Sequence, residues 1–235
     1  MNAQEILSEI KPLGSASYKK VLFNHGVREP CFGVKISDLK KIQKRVKTDY
    51  RLALDLYDTG NYDAMYLAGL IADDARMTRK DLQRWVRQAY GAALAGTTVP
   101  TVAAGSPHGH EMALEWIESS KPMVAVAGWA TLCCLVALKP DAELDLKHLT
   151  ALLRRIRKVI HKAPDPVRYQ MNMFVISVGC HVTPLTKLAV EMGEEIGPVS
   201  VDMGPTACQV PFAPDYIRKV EQRGILGRKR KTVKC

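Results

Sequence analysis

No stretch of this sequence is long and apolar enough to span a bilayer. The longest uncharged apolar run, Met123 to Leu138, stops at Lys139 after 16 residues, short of the roughly 20 that a spanning helix needs. The opening "MNAQEILSEIKPLG" carries acidic residues inside an amphipathic segment and lacks the pattern of a secretory signal. The expectation is a cytoplasmic protein with no membrane attachment, acting as a monomer. Cysteines are few and unspaced: Cys31, Cys133, Cys134, Cys180, Cys208 and Cys235 match no zinc pattern, and a chain of 235 residues needs no covalent staples. They read as reduced thiols. The sequence also lacks a phosphate-cradling loop, a Gly-x-Ser-x-Gly elbow and an HExxH pair. His108 and His110, with Glu111 beside them, sit in a Ser-Pro-Gly loop that leads into a helix, so they are not read as metal ligands. No cofactor or metal is expected.

What the sequence does carry is helical periodicity along nearly its whole length. Apolar positions recur at steps of three and four, and no segment sustains the period-two alternation of a strand. The spacing predicts helices over 2–11, 15–25, 36–47, 49–58, 61–73, 78–91, 108–119, 123–138, 145–162, 165–180, 184–196 and 214–223. Ser37 and Thr78 are candidate caps, while Gly60, Lys139-Pro140 and Ala163 to Pro166 are breakers. Helix pairs joined by short breaks, each pair about 35 to 45 residues long, match helical-hairpin repeats. The expected fold is therefore all-α, a right-handed superhelical stack of HEAT-like repeats (an α-solenoid), with a closed bundle as the alternative. Residues 1–215 are expected to form one repeat domain, and 216–235 a basic helix and flexible tail.

The charge is strongly one-sided and strongly localised. Lys and Arg number 34 against 24 Asp and Glu, a net +10, which favours polyanionic partners. Lys35 to Lys47 holds six basic residues against Asp38, Lys147 to Arg168 seven against Asp165, and Tyr216 to Cys235 eight against Glu221. These three segments carry more than the whole net charge. The candidate nucleic-acid contacts in the first are Lys35, Lys40, Lys41 and Lys44. In the second, Leu149, Leu152, Leu153, Ile156, Val159 and Ile160 form an apolar stripe. That leaves Lys147, Arg154, Lys158 and Lys162 on the opposite helix face. Spacing of about 6 Å between helical neighbours suits a phosphate backbone. Just beyond, Arg168, Tyr169, Gln170 and Asn172 place a cation, a stacking surface and two amides after a helix-starting Asp-Pro. Trp129, beside Gly128 in an Ala-rich helix, is the tryptophan with room for a close neighbour. Arg228, Lys229 and Arg230 lie in the terminal "GRKRKTVKC".

Three stretches carry a family resemblance. "FGVKISDLKKI" from Phe32, "LALDLYDTGNYDAMYLAGLIADD" from Leu52 and "MTRKDL" from Met77 resemble the AlkD-like DNA alkylation repair family. "ALEWIESSKPMVAVAGWATL" from Ala113 is similar to its next repeat. The resemblance spans most of residues 15–180. It implies a curved stack of HEAT-like repeats whose basic concave face holds duplex DNA by its backbone; the partner expected of this chain is duplex DNA, damaged or branched. In members similar to the characterised enzymes, alkylated purines are excised with the help of an Asp that stabilises charge on the sugar, Trp side chains against the deoxyribose and an Arg on the phosphate. The Trp-x-x-x-Asp element would fall near Leu94 to Val99, where the chain reads without Trp or acid. The Arg would fall around Ala125 to Gly128, which reads Ala, Val, Ala, Gly. The resemblance therefore implies DNA binding with no catalytic residue carried over. A glycosylase with a diverged site and a protein-interaction scaffold are the competing readings.

Overall fold

The computed structural model of the chain describes residues 1–234, and Cys235, one of the six thiols, lies outside the described residues. Helix is the regular secondary structure of those residues, with no strand among them. The helices are α1 (Ala3–Ile10), α2 (Ala16–Asn24), α3 (Ile36–Val46), α4 (Tyr50–Asp58), α5 (Tyr62–Ile71), α6 (Arg79–Gln88) and α7 (Gly91–Ala93). They continue with α8 (Val99–Gly105), α9 (Gly109–Trp116), α10 (Pro122–Leu138), α11 (Leu146–Val159), α12 (Asp165–His181), α13 (Thr186–Ile196) and α14 (Ala213–Gln222). Asn2, Ser15, Asp49, Asn61, Thr78 and Asp145 cap their helices by accepting a backbone N–H. Thr78 and Asp81 form a reciprocal capping box, as expected of Thr78. Ser37 does not cap. Helix α3 starts at Ile36, with Lys35 at its N-cap two residues before Ser37.

A further helical segment, 91–105, lies where the sequence pattern predicts none. Its Gly, Thr, Val and Pro content argues against a helix, yet α7 and α8 are joined by a π-helical turn, Leu94–Thr98. In an α-helix the Pro100 ring would clash with the carbonyl four residues back. Here the Val99 N–H reaches back five residues to the Leu94 carbonyl, and the wider turn accommodates the proline. Burial on both sides supplies the stability that propensity withholds. Leu94, Ala95, Val99, Val102 and Ala103 are all completely buried.

The helices stack in two layers as a right-handed HEAT-like superhelix. Helices α3, α5, the π turn with α8, α10, α12 and α14 pack side by side, each on the next, as one layer, called inner because α5 and α10 are buried along most of their length; α4, α6, α9, α11 and α13 flank them as the other, outer layer. The inner helix α10 is apolar all round and buried along most of its length, whereas α6 and α11 bury one stripe only. Between the layers lie Trp85, Trp116, Trp129 and Phe174. Tyr57 stacks on Trp85 at 4.0 Å and donates its hydroxyl to the Trp85 carbonyl. Gly128 lets α10 approach α9 closely, since a Cβ there would stand 2.7 Å from the Ile117 nitrogen. Among the described residues, no single helix is long and apolar enough to cross a membrane.

One buried carboxylate joins two of the stretches that carry the family resemblance. Asp63, completely buried in the first turn of α5, accepts the backbone N–H groups of Phe32 (2.6 Å), Gly33 (3.3 Å) and Val34 (2.8 Å). The Tyr62 N–H donates to the Pro30 carbonyl alongside. This lashes the loop before α3 across the start of α5 and sets the direction in which α3 presents its lysines. Replacing Asp63 by Ala would strand these buried donors, each worth about 1 to 3 kcal/mol. D63A is therefore expected to lose about 3 kcal/mol or more in urea unfolding, with D63N losing less; a loss within 0.5 kcal/mol, roughly that of a surface change, would refute the role.

Candidate nucleic-acid interface

Helix α3 is held by Leu39 and Ile42 in the core and by Gln43, whose amide donates to the Leu70 carbonyl at the end of α5. Its other face is basic. Lys41 pairs with Asp38 at 2.8 Å, and Arg45 pairs with Glu9. Lys35, Lys40 and Lys44 have no acidic partner among the described residues, and Lys35 and Lys44 are exposed.

The second segment divides differently from its sequence pattern. Helix α11 belongs to the outer layer, and two of its arginines are taken up by carboxylates elsewhere: Arg155 pairs with Glu118 in the turn after α9 and Arg157 with Glu195 on α13. Arg154 and Lys158 are exposed and unpaired, and Lys162 follows them in the 3-10 turn Ile160–Lys162. The stripe expected from the sequence thus survives on a helix of the outer layer, apart from the lysines of α3.

The residues expected near Arg168 serve the fold. Arg168 donates to the Ala163 and Ser200 carbonyls and sits 3.4 Å from Asp165. Asn172 is 3% exposed and donates to the Pro211 carbonyl. Both hold the 197–212 segment across the start of α12, and burial beside it pushes the Tyr169 hydroxyl pKa up. The same segment brings Gly204 close to the Asn24 carbonyl at the end of α2. Trp129 is completely buried, edge-on to Phe174 at 5.4 Å, with the Arg155 guanidinium over its ring. Trp129 and Asn172 are therefore corrected from candidate DNA contacts to packing and loop-anchoring residues.

The terminal tail, expected to be flexible, is laid along the structure. Gly227 N–H donates to the Cys180 carbonyl at the end of α12, and Arg230 N–H to the Ala137 carbonyl at the end of α10. Lys229 Nζ donates to the Val136 carbonyl and pairs with Asp141 at 2.8 Å. Lys234 Nζ donates to the Ala72 carbonyl just past α5 and pairs with Asp74 at 2.6 Å. Lys229 is thus held inward, while Arg228 and Arg230 remain exposed. The sequence hinted at this only through the matching Asp-Ala pairs, Asp74-Ala75 and Asp141-Ala142, that follow two inner helices.

The stretch where the family's Trp and Asp would lie is the π turn Leu94–Thr98. The turn itself carries no charged side chain; a side chain on Gly96 would meet Val126 and Gln170, and Lys234 lines the small cavity beside Thr97 and Thr98. Ala125 to Gly128 lie buried within α10. The nearby carboxylates are engaged, Asp74 with Lys234 and Asp81 with Thr78 and Tyr50. Among the described residues, no three His, Cys, Asp or Glu side chains form a group able to hold a metal ion. His110 and His148 stand edge to face at 6.3 Å.

Comparison with known proteins follows the same lines. The family model described as DNA alkylation repair enzyme matches residues 6–194. Two uncharacterised listerial proteins, Lin0241 of Listeria innocua and Lmo0209 of Listeria monocytogenes, are each 29% identical over 223 residues, covering 92% of this chain and 96% of theirs. A solved structure superposes with a TM-score of 0.93 over 100% of both chains at 34% identity. It comes from a family described as related to the HEAT-like repeat DNA glycosylases, with affinity for branched DNA structures.

Asp74 gives the tail contact a measurable signature. Burial pushes its carboxyl up to about 6, and the Lys234 ammonium pulls the other way. Because the folded value lies above the ordinary 3.8, this carboxylate costs stability above about pH 6; the cost fades as pH falls and is gone below the ordinary value. A carboxyl-carbon NMR titration is expected to place the Asp74 midpoint near 6, and Lys234→Met to move it higher. A midpoint at the ordinary value would mean that the carboxyl is solvated and the tail is not docked there.

Proposed function

The chain belongs to the DNA alkylation repair enzyme family, and on that footing we propose that it is a DNA-binding protein which grips the duplex by its phosphates without efficient base excision. The observation that carries this reading is the fold-wide likeness to a protein with affinity for branched DNA, joined to cations that no carboxylate neutralises. Lys35 at the cap of α3, Lys40 and Lys44 on it, Arg154 and Lys158 on α11, Lys162 beyond it, and Arg228 and Arg230 in the tail are the phosphate contacts. Each phosphate they neutralise releases condensed counterions, so binding weakens steeply with salt and depends little on sequence. Branched DNA suits cations spread over several elements, because its arms diverge and present backbone in more than one direction.

Excision needs a charge-stabilising group beside the sugar, and removing one such group from an enzyme lowers the rate by about 10² to 10³. The neutral π turn offers none. The family's description as an enzyme favours one competing reading, a glycosylase with a diverged site.

Two measurements separate them. Titration against intact, nicked and four-way duplexes is expected to show salt-dependent binding that favours the branched form. The triple variant R154A/K158A/K162A is expected to bind more weakly on all three with a smaller salt slope; unchanged affinity would remove that face from the proposal. Incubation of methylated DNA with stoichiometric protein is expected to release no 3-methyladenine or 7-methylguanine above background. Release above background would replace the binding-only reading by the glycosylase one.

A further inference from the structure

We propose that the docked tail is a preformed phosphate-binding rail, in which Lys229 and Lys234 are clamps and Arg228, Arg230 and Lys231 are the contacts. The inference rests on the DNA-binding reading and adds a division of labour within one basic segment.

The geometry begins with the inner helices. Helices α12, α10 and α5 end along one edge, as the eight residues from Gly227 to Lys234 touch the ends of all three. A row of helix C-termini is a row of unpaired carbonyls with partial negative charge. Asp141 and Asp74 add full negative charges beside two of these ends. Such an edge repels DNA. The tail reverses it, because Lys229 and Lys234 bond carbonyls and pair with the two carboxylates, while Arg228, Arg230 and Lys231 stay exposed, with no acidic partner among the described residues. His181 Nδ1 is hydrogen-bonded to the Arg228 carbonyl, which steadies the start of the run.

Arg228, Arg230 and Lys231 stand within four residues of one another, so neighbouring phosphates of one backbone lie within their common reach. The rail meets α3 at its far end, where Gln43 bonds the Leu70 carbonyl two residues before the Ala72 carbonyl that holds Lys234. Lys44 and Lys47 extend the positive edge there. Held by its clamps, the tail presents these cations without the ordering penalty that a loose arm pays on binding.

The test uses two variants of the full chain, a four-way DNA duplex, and hydrogen exchange at the Gly227 and Arg230 amides. D74N/D141N removes both anchoring charges and makes the protein more positive by two. R228Q/R230Q/K231Q removes the contacts and leaves the clamps. A rail predicts that D74N/D141N loses amide protection and, despite its added positive charge, binds DNA about 10-fold more weakly at a fixed salt concentration chosen for strong wild-type binding. It predicts that R228Q/R230Q/K231Q keeps amide protection, binds more weakly and lowers the salt slope by about 2 to 3.

Equal or tighter binding by D74N/D141N with protection lost would overturn the rail in favour of a flexible arm. Retained protection in D74N/D141N would overturn the clamp assignment, and wild-type affinity in R228Q/R230Q/K231Q would overturn the contacts. Wild-type protein that binds none of these DNAs would refute the DNA-binding reading itself, whereas binding by the wild type that neither variant alters would refute the rail alone.

Discussion

Inner helices of a solenoid run parallel, so their carbonyl ends gather along one edge, and that edge must be satisfied by something. Each end leaves acceptors without intrahelical partners and adds about half a negative charge. This chain answers with donors brought from far away in sequence. Gln43 serves the end of α5, and the terminal tail serves α12, α10 and the residue past α5. A basic terminus that reads as a solvated appendage is thereby tied to the repeats as their edge. The 197–212 segment has a related task at the start of α12, where Arg168, Asn172 and Asp165 hold it in place.

A second constraint is the close packing of α10 against its neighbours. Gly128 and the surrounding alanines let α9 approach it, and the stretch where the family's arginine would stand is buried in the same helix. The π turn does the equivalent on the other side. It accommodates Pro100 and leaves Gly96 facing Val126 and Gln170. Where related enzymes would place a carboxylate, this chain has small neutral residues in a well-packed layer. Binding surfaces made of long flexible cations survive such repacking more readily than a charge held to a fraction of an ångström beside a sugar.

The resemblance and the geometry also explain each other. "FGVKISD" and "NYDAMYL" are recognisable stretches, and Asp63 joins them by accepting three backbone N–H groups from the first. Asp63 was not singled out from the sequence, since a lone Asp in a first helical turn reads as a capping or dipole residue. Only the loop folded over it reveals its use.

Helical periodicity, the cap at Thr78, the breaks at Gly60 and Pro140 and the three basic segments were all legible in the chain, because each depends on neighbours within a turn or two. From these follow the all-helical class, the repeat architecture and the expectation of a polyanionic partner. The helix at 91–105 was not legible, because its stability comes from burial that overrides poor local propensity. Nor was the assignment of individual cations. Trp129 and Asn172 went into the interior, Arg155 and Arg157 to carboxylates of other repeats, and Lys229 and Lys234 to helix ends 93 and 162 positions away. A residue's charge belongs to the sequence; whether that charge is free to meet a phosphate depends on which acceptors the fold brings within a few ångströms, and tertiary structure alone decides that.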